Sequence, residues 1–252
     1  MDFGIAGKRA VVIGGSTGLG YAVCKALAAE RVNLLVFSHD EQNLHRCRET
    51  LSGKFDVAVD VCRGDIANEG DVDRLSEVVA GFGDVEIVVL NTPRPPSPMR
   101  DFLDETEQTR WDAAYQHQLH GALLVLRKLG RLVTRSGWGR VIAITSASVK
   151  QPMPRHAIST IFRAGVHAAL KHLAMEVAEH GVTVNAVAPA TILTPTFAMY
   201  HDLEARVRAV PLKRAGKPEE LGATVAFLAS VHAGFISGQV IQMDGGATLS
   251  LC

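Results

Sequence analysis

Near the start of the chain, Gly14-Gly15-Ser16-Thr17-Gly18-Leu19-Gly20 has the residue types of a phosphate cradle. Glycines at this spacing permit a tight turn, a close approach of backbone to pyrophosphate, and close contact between a helix and a strand. A helix that starts in such a loop turns its free N–H groups and partial positive charge toward the phosphates. The chemistry implied is binding of a nicotinamide dinucleotide through Gly14, Ser16, Thr17, Gly18, Leu19 and Gly20. A glycine turn kept by the fold alone reads the same in isolation, so the context of the loop carries the argument. Ser38 and His39 fall where the adenosine ribose should lie. An acidic residue there would accept the 2′-hydroxyl and favour NAD. Ser38 is not acidic and His39 can meet a 2′-phosphate, which favours NADP; the neighbouring Asp40 keeps NAD as the alternative, and His39 also fits a solvated loop. Asp65 and Ile66 follow the third strand pattern, where a carboxylate could accept from the adenine amino group.

The elements needed to hold these residues are legible in order. Lys8–Ile13 is a β-branched run ending in glycines, and Leu19–Glu30 is amphipathic. Asn33–Phe37, Asp56–Val61, Glu86–Leu90, Arg140–Thr145, Val182–Val187 and Gln239–Met243 read as six further strands, several of them apolar enough for burial on both faces. Between them, Asp40–Leu51, Asn68–Ala80, Trp111–Arg135, Ser159–His180 and Pro218–Ser230 have helical spacing. Asn91–Pro98 is proline-rich loop. Strands alternating with helices predict an α/β fold: a single-domain Rossmann arrangement over residues 1–252, with a doubly wound, seven-stranded parallel sheet and helices on both faces.

Charge and composition narrow the function. Lys+Arg and Asp+Glu both number 26, and no basic run marks a nucleic-acid footprint. No apolar stretch reaches the roughly 20 residues of a membrane span, and the first residues lack the pattern of a signal peptide, so a cytoplasmic protein is expected. Cys24, Cys47, Cys62 and Cys252 show no metal-ligand spacing, and reduced thiols without a metal are expected.

Taken together, these segments resemble the short-chain dehydrogenase/reductase family over nearly the whole length. The glycine loop matches the family's TGxxxGxG with Ile13 in place of Thr, and only Asn91 survives from the family's NNAG in Leu90-Asn91-Thr92-Pro93. Val184-Asn-Ala-Val-Ala-Pro189 resembles VNAVxPG, with Ala190 for the glycine. The ending, with Pro211-Leu-Lys-Arg-Ala-Gly-Lys-Pro-Glu-Glu220, Ser237-Gly-Gln-Val240 and Asp244-Gly-Gly246, is similar to the 3-oxoacyl-carrier-protein reductase-like branch. By resemblance, Asn91, Pro189, Ile192 and Thr194 join the cofactor set, the last two where the family grips the nicotinamide carboxamide.

The resemblance breaks at the catalytic set of Asn, Ser, Tyr and Lys. Ser146 holds the serine position, but Ser159, thirteen residues on, stands for the tyrosine, and Arg163 stands for the lysine. Gln118, seven residues after Trp111, stands for the asparagine. A tyrosine phenol titrates near ~10 and can be lowered by a neighbouring cation, whereas a serine hydroxyl is a far weaker acid. Arginine stays charged, so it can hold the nicotinamide ribose and supply a fixed charge but relays no proton. Ser159 and Arg163 share one helix face at i, i+4. The missing general acid has several candidates: His156, with an unperturbed pKa near ~6.5, then Lys150, His117, Tyr200, or water relayed through Ser159. Arg94, in the proline-rich loop, could meet an anionic substrate or simply be solvated.

The expectation is an atypical NAD(P)-dependent oxidoreductase acting on a small-molecule carbonyl or secondary alcohol, with Ser146, Ser159, Arg163 and Gln118 at the reaction centre. Alternatives are a non-redox lyase, isomerase or dehalogenase-like enzyme on the same fold, or a protein that senses the dinucleotide without turnover. Dehalogenase relatives of the fold keep a tyrosine and lose the dinucleotide loop, the reverse of this chain. The resemblance also implies a homodimer or homotetramer, paired through the Trp111–Arg135 and Ser159–His180 helices, whose Ala164, Gly165, Ala168 and Ala169 would permit close approach.

Overall fold

The structure, a computed structural model, describes residues 1–200 and 202–250, with the side chains of Thr196, Ala198 and Tyr200 outside the description. The expected role of Tyr200, and the fourth cysteine, Cys252, therefore lie outside the described residues. Seven strands form one sheet in the order β3-β2-β1-β4-β5-β6-β7. They are β1 (Arg9–Ile13), β2 (Asn33–Ser38), β3 (Val59–Arg63), β4 (Ile87–Asn91), β5 (Gly139–Ile144), β6 (Val182–Pro189) and β7 (Val240–Met243). Every pairing is parallel.

Strand side chains alternate between two apolar layers. Val11 and Ile13 of β1 join Leu35, Phe37, Val88 and Leu90 on one face. That layer is closed by α3 (Glu69–Phe82), α5 (Gly121–Val133) and α6 (Ala157–Glu176) through Leu75, Leu129 and Leu170. Ala10 and Val12 face the other way, with Leu34, Val36 and Val89. There α1 (Gly18–Ala29), α2 (Glu41–Lys54) and α9 (Pro218–Ala229) close the layer through Leu27, Leu51 and Val225. Burial on both faces is why the central strands read as continuous apolar runs.

Three elements differ most from expectation. The third strand is Val59–Arg63 rather than Asp56–Val61, because an edge strand accommodates exposed Asp60 and Arg63 that interrupt the apolar pattern. The single helix expected over Trp111–Arg135 is a composite: α4 (Gln108–Ala114), a π-helical stretch over Tyr115–His120, then α5. The Ser159–His180 helix begins at Ala157 and ends at Glu176, followed by a separate 3₁₀ turn, Ala178–His180. Two short helices, α7 (Pro195–Tyr200) and α8 (Leu203–Ala209), fill the stretch after β6 that showed no periodicity.

The strand order reverses between β1 and β4, which opens a crevice at the carboxyl ends of the strands. The glycine loop, Asn91, Thr145-Ser146 and Pro189 all sit at those ends.

Candidate active site

The loop after β1 is shaped by contacts that exclude side chains. Gly14 has φ +65°, and a Cβ there would stand 2.5 Å from the backbone oxygen of Asn91. Gly20 lies directly against the backbone of Gly14 and Gly15. Gly18 has φ +56° with open space around it, the room a pyrophosphate requires. Thr17 precedes α1 without a side-chain cap, and the first turn holds no acidic residue. The helix therefore offers uncapped N–H groups and its partial positive charge to an anion. The residues present fit a dinucleotide.

A cavity of about 430 Å³ opens from this loop. Its walls include Gly14, Ser16, Thr17, Gly18, Leu19, Ser38, His39, Asp65, Ile66, Asn91, Pro189, Ile192 and Thr194 from the expected cofactor set, and Ser146, Ser159 and Arg163 from the expected catalytic set. Gly20 lies beneath the loop instead of on the wall. Asn91 Nδ2 donates to the Gly14 carbonyl at 3.2 Å, and Ser16 Oγ donates to Ser38 Oγ at 2.9 Å, which ties the second strand to the loop. Asp40, which could have favoured NAD, caps α2 by accepting from the Asn43 backbone at 2.9 Å, and His39 stays exposed on the cavity wall. Asp65 accepts from the Ala67 backbone at 2.9 Å and meets His117 Nε2 at 3.2 Å. His117 is thus engaged on the Asp65 side of the site, and Lys150 is exposed off the cavity; neither joins Ser146.

Gln118 is fully buried behind the wall, at the centre of the π-helical stretch. The altered register turns its side-chain oxygen onto Arg163, whose Nη1 donates at 2.9 Å. The same Nη1 donates to Ser159 Oγ at 2.6 Å, and Nη2 donates to the Pro93 carbonyl at 3.3 Å. Arg163 Nε and Gln118 Nε2 are buried without a partner. Burial, with nearby Arg94, pushes the Arg163 guanidinium down to about 10, so it remains cationic at neutral pH. Its three acceptors are all neutral, and no carboxylate among the described residues pairs with it. Ser146 Oγ accepts from the Ser148 backbone at 3.2 Å and shares a 2.9 Å hydrogen bond with Ser148 Oγ.

His156 occupies the cavity wall just before α6. Its Nδ1 lies 2.7 Å from the Pro154 carbonyl, which can only accept, so Nδ1 carries the hydrogen and neutral Nε2 is left as the proton acceptor. Burial, and then Arg206, Arg155 and Arg163, lower its pKa below the ordinary histidine value. Sequence reading missed two further groups. Arg206 of α8 lines the cavity, projected from a segment with no periodic signal. His167, one turn after Arg163, contacts Thr145 Oγ1 at 2.7 Å, and burial with the nearby Arg163 and Lys150 charges lowers it to about 4. Its spacing from Arg163 was readable; its contact with a strand-end threonine was not.

The chain is similar in sequence and fold to several known proteins. A family model described as enoyl-(acyl carrier protein) reductase matches residues 14–248. A short-chain type dehydrogenase/reductase of Picea abies is 31% identical, over 96% of this chain and 93% of its own. A 3-oxoacyl-(acyl-carrier-protein) reductase of Staphylococcus epidermidis is 32% identical, over 95% and 98%. Among solved structures, L-sorbose reductase from Gluconobacter frateurii, complexed with NADPH and L-sorbose, superposes with a TM-score of 0.92 at 28% identity, covering 100% of both chains.

Proposed function

The chain belongs to the short-chain dehydrogenase/reductase family, and from that premise we propose an NADP-dependent oxidoreductase that interconverts a carbonyl and a secondary alcohol without the usual tyrosine. The observation that carries the reading is one cavity joining an intact glycine cradle to Ser146, Ser159 and Arg163. When bound, the dinucleotide supplies or accepts the hydride. Ser146 hydrogen-bonds the substrate oxygen, and its bonds with Ser148 fix its position. Arg163 holds the nicotinamide ribose and Ser159 while presenting a permanent charge to an oxygen that turns negative. Ser159 accepts from Arg163 and keeps its own O–H to donate. His156 stands on the wall with its Nε2 free of the Pro154 bond, and that Nε2 gives the proton in reduction and takes it in oxidation. His39, with Asp40 consumed as a cap, supports NADP over NAD.

The test tracks the absorbance of reduced nicotinamide across a carbonyl panel, with NADPH and NADH affinities measured alongside. We expect NADPH to bind more tightly and to be consumed, and Ser146→Ala to lower turnover roughly a hundredfold while cofactor affinity holds. Tight binding with no consumption on any carbonyl would overturn the redox reading in favour of a sensor.

A homodimer or homotetramer through α5 and α6 is part of the same proposal. Ala164 and Ala168 are exposed on α6, as is Ile161, and they support pairing there. Gly165 serves a different end: a Cβ there would meet Leu119 of the same chain at 2.9 Å. Light scattering behind a sizing column should give two or four times the 27.0 kDa chain mass.

A further inference from the structure

Among the described residues that line the cavity, cationic side chains without a carboxylate partner outnumber free carboxylates. Arg163 and Arg206 line the cavity, and Asp65 is the one carboxylate among its described lining residues. Asp65 is already engaged by His117 and the Ala67 backbone. Arg163 is buried against neutral oxygens with its Nε unpartnered. Arg206 is half-buried, and its guanidinium has one hydrogen bond, to Met153 Sδ at 3.8 Å, with no carboxylate partner among the described residues. Burial and nearby Arg155 make its charge more costly still. A buried charge is ordinarily paired, and here the missing partner is not among the described residues. The dinucleotide does not supply it either, because the pyrophosphate is matched by the glycine loop and the start of α1. Met153, in contact with Arg206, lines the cavity with Met99 and Phe197, and these give it apolar surface suited to a hydrocarbon or aromatic body.

We propose that the substrate is an oxo acid, with its carboxylate held by Arg206 and its carbonyl beside Ser146. The proposal rests on the carbonyl–alcohol reading above and specifies its substrate class. Reduction of such an acid consumes one hydride and one proton, and yields the hydroxy acid and the oxidised dinucleotide. The apolar wall takes the chain or ring that carries the two oxygen functions, and Arg206 fixes which end points inward.

Calorimetric titration of the protein loaded with oxidised NADP tests this without turnover. The probes are phenylpyruvate, 2-oxooctanoate and 3-oxooctanoate, each against its methyl ester. At least one acid is expected to bind tenfold or more tightly than its ester. Arg206→Gln should bring that ratio close to one, Arg206→Lys should restore part of it, and NADPH affinity of both variants should match the parent, which also reports an intact fold. Esters binding as tightly as acids, no binding by any acid, or an undiminished preference in Arg206→Gln would overturn the proposal. Failure of the parent protein to bind NADPH would instead overturn the reading on which it rests.

Discussion

At the scale of single residues, the proposed site has a hydroxyl and a permanent cation where the family resemblance implies a titratable phenol and amine. The two replacements belong together. A guanidinium donating to Ser159 at 2.6 Å holds the hydroxyl where a phenol would otherwise reach, but neither group carries a proton through neutral pH. The double variant Ser159→Tyr/Arg163→Lys should therefore raise kcat for carbonyl reduction by tenfold or more, read as NADPH consumption. Unchanged kcat would mean the proton is already delivered efficiently from elsewhere. His156 gives that delivery a pH signature. Reduction needs its protonated form, and its pKa is depressed below the usual value near ~6.5. Reductive kcat should fall as pH rises through that lowered pKa, oxidation should rise over the same interval, and His156→Gln should flatten both profiles. The serine and arginine were legible because helical spacing fixes them relative to each other. Arg206 was not, because a residue delivered by a seven-residue helix after a non-periodic segment leaves no spacing to read.

At the scale of elements, the parts buried on both sides were the legible ones. β1, β2, β4, β5 and β6 announced themselves as apolar runs, whereas β3 slid along the sequence because an edge strand tolerates polar residues. The loop after β1 was readable as a cradle, and the structure adds why substitution there is costly. Gly14→Ala would force a left-handed backbone on a residue with a side chain and drive its Cβ toward the Asn91 carbonyl. We expect a loss of about 2–3 kcal/mol in denaturant unfolding and weaker NADPH binding. The π-helical stretch escaped the sequence reading because its residues have ordinary helical character; only its hydrogen bonding differs. Each extra residue in a turn rotates the downstream side chains by ~100°, which is how Gln118 comes to face Arg163 while Trp111 still packs on Phe162 at 6.0 Å. Such stretches recur at functional sites.

At the scale of the whole molecule, the crevice is a consequence of strand order, so its location was readable once seven alternating strands were recognised. Its contents were less so, since part of the wall past the cradle comes from α7, α8 and the proline-rich loop, all outside the regular repeat. No helix among the described residues is long and apolar enough to cross a membrane. The unbalanced charge at the base of this crevice has a practical consequence. A fold that keeps a guanidinium without a carboxylate partner in its binding site is stabilised by an anion that binds there, so the melting temperature becomes a gauge of occupancy. Saturation at a hundredfold excess over Kd contributes about 2.7 kcal/mol, which for a chain of this length corresponds to roughly 5–10 °C. A thermal melt with NADP alone, and then with NADP and an oxo acid together, should therefore rise in two separate steps. The protein's own heat resistance can rank ligands without a turnover assay.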